Sequence, residues 1–252
     1  MRCYLKPLAF KVLSFDLDDT LYDNLPHIHR AEAAFLAFMQ QNFNAEHGWH
    51  SAFWYQTKMH LVQSTPALQH DIGLLRWRTV EYLLQQLGLT ANEARVGADA
   101  GLDCFLHHRS DFTVSDEVIS LLNQLGERFT LIGITNGNVD ACRIGLTPVL
   151  DFVLHPGNGV KMKPAPDLFI KAQQLLDVSP SQILHIGDSF KADVVGARRA
   201  GCQSAWLNPS FGRYYAEDSG EDVLGLPKIH APLSHQLPHF ELELLFELQH
   251  LL

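Results

Sequence analysis

Residues 11–20 read Lys11-Val12-Leu13-Ser14-Phe15-Asp16-Leu17-Asp18-Asp19-Thr20, a short apolar run that stops on a cluster of acids. A run this short, with almost no polar interruption, suits a strand buried on both faces of a parallel sheet. Four more runs share its character. Residues 130–134 end at Thr135, residues 152–154 lead toward Lys163, residues 182–186 end at Gly187 and Asp188, and residues 203–207 stop before Asn208 and Pro209. Helical spacing fills the intervals. Val118, Leu121, Leu122 and Leu125 share one side of a helix over 117–125, with Ser115 placed as its N-cap. A second helix over 166–176 opens on Pro166 and Asp167, and a third over 191–200 stops at Gly201. Strands alternating with helices predict an α/β fold with a Rossmann-like, doubly wound parallel sheet.

The stretch between the first and second strands breaks that alternation. It reads as helix throughout. Residues 27–43 carry Ala31, Ala34, Phe35, Phe38 and Met39 on one face, residues 51–62 and 74–87 are further helices, and Thr90 to Glu93 has the spacing of a capping box. A stretch this long is no simple crossover. It predicts an inserted all-helical subdomain over 23–111, with 1–22 and 112–252 forming the α/β core. Residues 210–235, rich in glycine, proline and charge, read as loop, and residues 240–252 as a short terminal helix.

Composition narrows the function classes. A formal net charge of −9 argues against sequence-independent nucleic-acid binding, which needs a positive surface field. The four cysteines form no C-x-x-C pair, so reduced thiols are expected and a zinc ribbon is not. His27/His29 and His107/His108 lack the H-E-x-x-H pattern of a histidine metal site. No apolar run approaches the ~18 residues of a membrane span. Lys6, Pro7 and Lys11 interrupt the N-terminal stretch, which therefore does not read as a signal peptide; a cytoplasmic protein is expected.

Position is the informative feature of the polar residues. Asp16, Thr135 and Asp188 each follow directly on an expected strand, and Lys163 lies in the loop after another. Ligands bind beyond the carboxyl ends of strands in open parallel sheets, so four distant segments converge on one place. Asp16 and Asp18, two positions apart, suit a divalent cation and proton transfer, although acidic loops are common after strands. Thr135-Asn136-Gly137-Asn138 offers a hydroxyl and backbone N–H groups to a phosphate, or is an ordinary turn. Lys163, followed by Pro164, places one positive charge, or is a solvated lysine before a helix. Asp188 and Asp193 flank a strand-to-helix turn, where acids are also favoured by the helix dipole alone. Within the helical stretch, Arg76, Arg78, Trp77, Trp54 and Tyr55 are candidates for contact with an aromatic, hydroxylated ligand, against a reading of ordinary interior packing.

The conjunction is more specific than its parts. D-x-D-x-T at Asp16, Asp18 and Thr20, a strand ending in Thr135, a lysine before proline at Lys163, and G-D-x-x-x-x-D at Asp188 and Asp193 occur in that order. They resemble the four motifs of the haloacid dehalogenase-like hydrolase superfamily, over about residues 12–207. The resemblance implies a Mg²⁺-dependent phosphatase acting on a small phosphorylated metabolite. Asp16 is the implied nucleophile and Asp18 the general acid and base. Asp16, the Asp18 backbone carbonyl and Asp188 are the implied metal ligands, with Asp193 behind them. Thr135, the Asn136 N–H and Lys163 are implied to hold the phosphoryl group, Lys163 also offsetting its repulsion with Asp16. Asp19 has no implied role beyond capping or solvation. The helical insertion resembles the cap of the family's helical-cap subgroup.

A narrower resemblance rests on residues 15–24, Arg76-Trp77-Arg78, residues 134–138 and residues 183–188. It is to phosphatases of this superfamily in flavin metabolism, and implies 5-amino-6-(5-phospho-D-ribitylamino)uracil and flavin mononucleotide as substrates. Other phosphomonoesters, such as sugar phosphates and nucleotides, are the alternative. Three rivals remain, the first an enzyme on the same fold and the other two of different class. A dehalogenase has no need of Asp18, because a halide leaves without a proton. A phosphorelay receiver is about half this length and places its acidic pair far ahead of the phosphorylated aspartate. A silent binding protein on the same fold has no reason to keep all four motifs.

Overall fold

The computed structural model describes residues 1–43, 51–208 and 237–252. In chain order the elements are β1 (Arg2–Cys3), β2 (Val12–Phe15), α1 (Leu25–Phe43), α2 (Ser51–Ser64), α3 (Ile72–Gln86), α4 (Ala91–Arg109) and α5 (Asp116–Gly126). They continue with β3 (Thr130–Ile134), β4 (Phe152–Leu154), α6 (Asp167–Leu176), β5 (Ile183–Gly187), α7 (Gly196–Arg199), β6 (Gln203–Leu207) and β7 (Phe240–Leu242). The strands form one sheet in the order β1-β7-β6-β5-β2-β3-β4, parallel except for the β1–β7 edge pair. The order reverses at β2, with β3 and β4 on one side and β5 and β6 on the other. That reversal is the switch point at which an open sheet leaves a crevice.

Alternation along the strands divides the core into two layers. Leu13, Phe15, Leu184 and Ile186 face one way and pack with Val118, Leu121, Leu122 and Leu125 of α5. Val12, Ile132, Ile134 and Ile183 face the other way and pack with Leu168, Phe169 and Ala172 of α6 and Ala197 of α7. Helices therefore cover both faces, as the near-continuous apolar strands required.

Helices α1 to α4 bury a third apolar cluster of their own, including Phe35, Met39, Val80, Leu84, Ala98 and Phe105. The capping box at Thr90 is formed: its hydroxyl accepts from Glu93 N, and its own N–H donates to Glu93 Oε2. Small residues let α4 approach its neighbours. A Cβ at Gly97 would lie 2.4 Å from Leu84 Cδ1 and 2.8 Å from Phe43 Cζ. Gly97→Ala is accordingly expected to lower stability by about 1–3 kcal/mol through overpacking, read as a drop in the thermal midpoint.

Two expectations need correction. Residues 240–252 are not one helix. Phe240 and Leu242 are buried on either side of Glu241 and join the sheet as β7, a period-two pattern that the following leucines concealed. Only Leu245–Leu251 is helical, and as a 3₁₀ turn. The helix expected over 191–200 opens as a wide π-type turn over Phe190–Val195 before α7, with Asp193 turned inward. The loop expected at 210–235 lies outside the described residues.

Candidate active site

Asp16, Thr135 and Asp188 continue β2, β3 and β5, three neighbouring strands, and so leave the sheet side by side. Backbone bonds extend the ladders through the first two: Asp16 N donates to Ile186 O at 2.8 Å, and Thr135 N to Leu154 O at 3.1 Å. Lys163 arrives from the loop after β4, and its side chain is buried at the centre of the cluster. Its Nζ donates to Asp16 Oδ1 at 2.9 Å, to Asp193 Oδ1 at 2.7 Å and to the Ile134 carbonyl. Asn136 fixes the lysine's backbone from both sides: its side-chain oxygen accepts from Lys163 N at 2.8 Å, and its side-chain nitrogen donates to Lys163 O at 2.9 Å.

Carboxylate oxygens of Asp16, Asp188 and Asp193 lie within 4.8 Å of one another. Three acids face a single buried lysine, and their titration reflects the imbalance. Burial pushes the Asp16 carboxyl well above the usual carboxylate range, with Lys163 opposing and Asp193 reinforcing the rise. Asp188 is pushed up to about 6 by burial and then by Asp193 and Asp19. Asp193 goes the other way. Burial raises it, but the Lys163 ammonium and the His185 hydrogen bond outweigh burial and hold it below its ordinary value. Burial also works against the Lys163 charge, and Asp16 and Asp193 together overcome it. Hard oxygen donors around a surplus of negative charge fit a divalent cation of the Mg²⁺ kind.

Several groups here escaped the sequence reading. His185 and Ser14 are register partners in β5 and β2, and both are buried. The His185 ring accepts from the Ser14 hydroxyl at Nδ1 (2.9 Å) and reaches Asp193 Oδ1 from Nε2 at 3.1 Å. Burial, and then Lys163, pull its pKa down to about 4, so the ring is neutral and Nε2–H is the donor. A polar residue inside each of two adjacent apolar strands was the signal available. Arg109, the last residue of α4, pairs with Asp18 Oδ1, and the Tyr22 hydroxyl donates to the same oxygen at 2.7 Å. Burial, followed by the Asp18 charge, pushes the Tyr22 phenol up and keeps it a donor. Nothing local in the sequence announces a contact across 91 residues.

Thr20 donates to Asp188 Oδ1 at 3.5 Å. Asp19 caps the backbone N–H of Asn24 at 2.9 Å. The arginine and tryptophan candidates make contacts within the helical layer. Arg76 is buried over the Phe105 ring and paired with Glu32, Trp54 belongs to the helical cluster, and Tyr55 is exposed. Trp77 donates to Asp99, and Arg78 pairs with Glu81. No described helix is long and apolar enough to cross a membrane.

Residues 10–201 match the family model for haloacid dehalogenase-like hydrolases. The chain belongs to that family. Among haloacid dehalogenase-like relatives, the 5-amino-6-(5-phospho-D-ribitylamino)uracil phosphatase YigB of Escherichia coli (strain K12) is 37% identical over 213 residues, which are 84% of this chain and 89% of that protein. A glyceraldehyde 3-phosphate phosphatase of Pyrococcus furiosus is 29% identical over 239 residues, 87% of this chain and 91% of its own. A crystal structure described as a 2-haloacid dehalogenase from Pseudomonas syringae pv. Tomato DC3000 superposes with a TM-score of 0.81 at 31% identity, covering 96% of this chain and 97% of the other. The chain is thus a hydrolase with this family's α/β fold.

Proposed function

We propose that the chain is a Mg²⁺-dependent phosphomonoester hydrolase working through an aspartyl-phosphate on Asp16. Its proposed substrates are 5-amino-6-(5-phospho-D-ribitylamino)uracil, in riboflavin biosynthesis, and flavin mononucleotide. One observation supports the chemistry: the Lys163 ammonium bonds the Asp16 carboxylate at the switch point, while the Thr135 hydroxyl and the Asp18 carboxylate both border Gly137 nearby. The 37% identical relative named above carries the substrate. Residues 23–111 are read as a cap that closes over the core formed by 1–22 and 112–252 and excludes water. A cytoplasmic setting suits the unpaired cysteines.

Asp16 attacks phosphorus in line and the alcohol leaves; water then cleaves the acyl-phosphate. Asp18 gives its proton to the departing alkoxide and later takes one from that water, as the order of the steps requires. Thr135 and the Asn136 N–H hold phosphoryl oxygens, and Lys163 offsets the repulsion between Asp16 and the incoming dianion. Asp193 keeps Lys163 in place, and His185 in turn donates to Asp193. Mg²⁺, when held by Asp16, Asp188 and the Asp18 carbonyl, would neutralise further phosphate charge.

The dehalogenase reading has a relative in its favour but leaves Asp18 idle, although Arg109 and Tyr22 hold that carboxylate in place. A panel of the ribitylamino phosphate, flavin mononucleotide, sugar phosphates, nucleotides and a 2-haloacid separates the readings. The expected result is highest kcat/KM on the first two, no haloacid turnover, loss of activity in EDTA and its return with Mg²⁺. Preference for a sugar phosphate would overturn the substrate, and full activity in EDTA the metal.

A further inference from the structure

The Asp18 carboxylate is held by one oxygen. Its Oδ1 accepts from both the Tyr22 hydroxyl and Arg109 Nη2. Its Oδ2 lies over Gly137, where a Cβ would stand 2.4 Å from that oxygen and 3.3 Å from Thr135 Oγ1. One oxygen is anchored, and the other borders Gly137, as does the hydroxyl assigned to the phosphoryl group. Glycine at 137 is what leaves it room. Arg109 itself is 2% exposed, and its Nη1 has no hydrogen-bond partner among the described residues. A buried guanidinium with an orphan donor adds little to stability, so a purely structural strut accounts for it poorly.

Resting on the reading of Asp18 as the acid–base group, we propose that Arg109 is a positioning residue for it. With Tyr22, Arg109 occupies Oδ1 and thereby makes Oδ2 the oxygen that exchanges a proton with the leaving alkoxide and the attacking water. The arginine comes from the last turn of α4, 91 residues along the chain from Asp18. The helical layer therefore sets the aim of the acid in the core. It does so without touching the substrate.

The test compares Arg109→Met, Arg109→Lys, Tyr22→Phe and Asp18→Asn on two substrates. One is an alkyl phosphomonoester, whose leaving group needs a proton. The other is p-nitrophenyl phosphate, whose nitrophenolate leaves without one. Arg109→Met is expected to lower kcat/KM, which reports the steps through alcohol departure and not the shared hydrolysis of the acyl-phosphate, by roughly 10- to 100-fold on the alkyl ester and by less than about threefold on the nitrophenyl ester. The inhibition constant for inorganic phosphate should stay within about twofold, showing that the phosphate site is intact. Arg109→Lys should recover part of the loss. Tyr22→Phe, which removes the second tie without a charge change, should show the same selectivity at smaller size. Equal losses of kcat/KM on both esters, or a weakened inhibition by inorganic phosphate, overturn the proposal, and Tyr22→Phe decides it should the methionine variant fail to fold. Asp18→Asn separates this inference from the reading beneath it. If that variant discriminates between the esters and the Arg109 variants do not, only the positioning role falls. If Asp18→Asn does not discriminate either, the acid–base assignment falls with it.

Discussion

Asp16→Asn should leave a folded protein with no measurable turnover. The amide keeps the shape of the carboxylate but is no nucleophile at phosphorus, and a loss on the order of 10⁴-fold or more in kcat is expected from removing a covalent nucleophile. Stability should move in the opposite direction. Asp16 is buried with its pKa raised, so the folded state binds the proton more tightly than the unfolded one. Stability therefore falls as pH rises above the unfolded value of about 4, and the asparagine variant escapes that penalty. In EDTA at neutral pH its thermal midpoint should equal or exceed that of the parent. Normal turnover in this variant ends the aspartyl-phosphate mechanism.

Lys163→Met is expected to damage both activity and the fold. Among the described residues the ammonium is the one buried cation hydrogen-bonded to both Asp16 and Asp193, and both acids are themselves buried. Breaking such a pair while leaving its acids in place typically costs ~3–5 kcal/mol. The pH dependence follows from the sign of each shift. In the parent, Asp193 is depressed, so its contribution is present above the unfolded value of about 4 and fades as pH falls toward the folded one. Without Lys163 the depression is lost, and burial raises both carboxyls instead. The deficit relative to the parent should then be largest at neutral pH and shrink as pH falls toward about 4, because the buried acids of the variant take up protons above the unfolded value. Chemical denaturation at pH 7 and pH 4 measures it. A variant as stable as the parent at pH 7 would show that the three charges are not coupled as described.

Much of this was legible in the sequence because buried parallel strands advertise themselves. Nearly continuous apolar runs gave five of the strands, and what followed each run named the acids, the threonine and the lysine. The two-residue strand β1 was too short to show a period. Strand β7 was masked by the leucines behind it, and only its pairing with β6 reveals Phe240 and Leu242 as sheet residues. The supporting partners were harder to read. His185 and Ser14 stood in plain view as polar residues in apolar strands, but their meaning depends on the register that sets them opposite each other. Arg109 depends on how α4 returns to the core, which no local pattern encodes. Arg76 illustrates the converse. Its neighbours suggested a ligand, yet the aromatic rings around it and Glu32 account for it inside the helical layer.

The Asn136 side chain acts as a borrowed peptide group, giving one hydrogen bond to the Lys163 backbone and taking one from it. Two loops that leave different strands are thereby geared together. A tilt that carries the threonine carries the ammonium with it, so thermal jitter at this end of the sheet becomes common-mode. The cradle can drift as a whole while the spacing between its hydroxyl and its cation, the quantity a tetrahedral anion measures, stays constant.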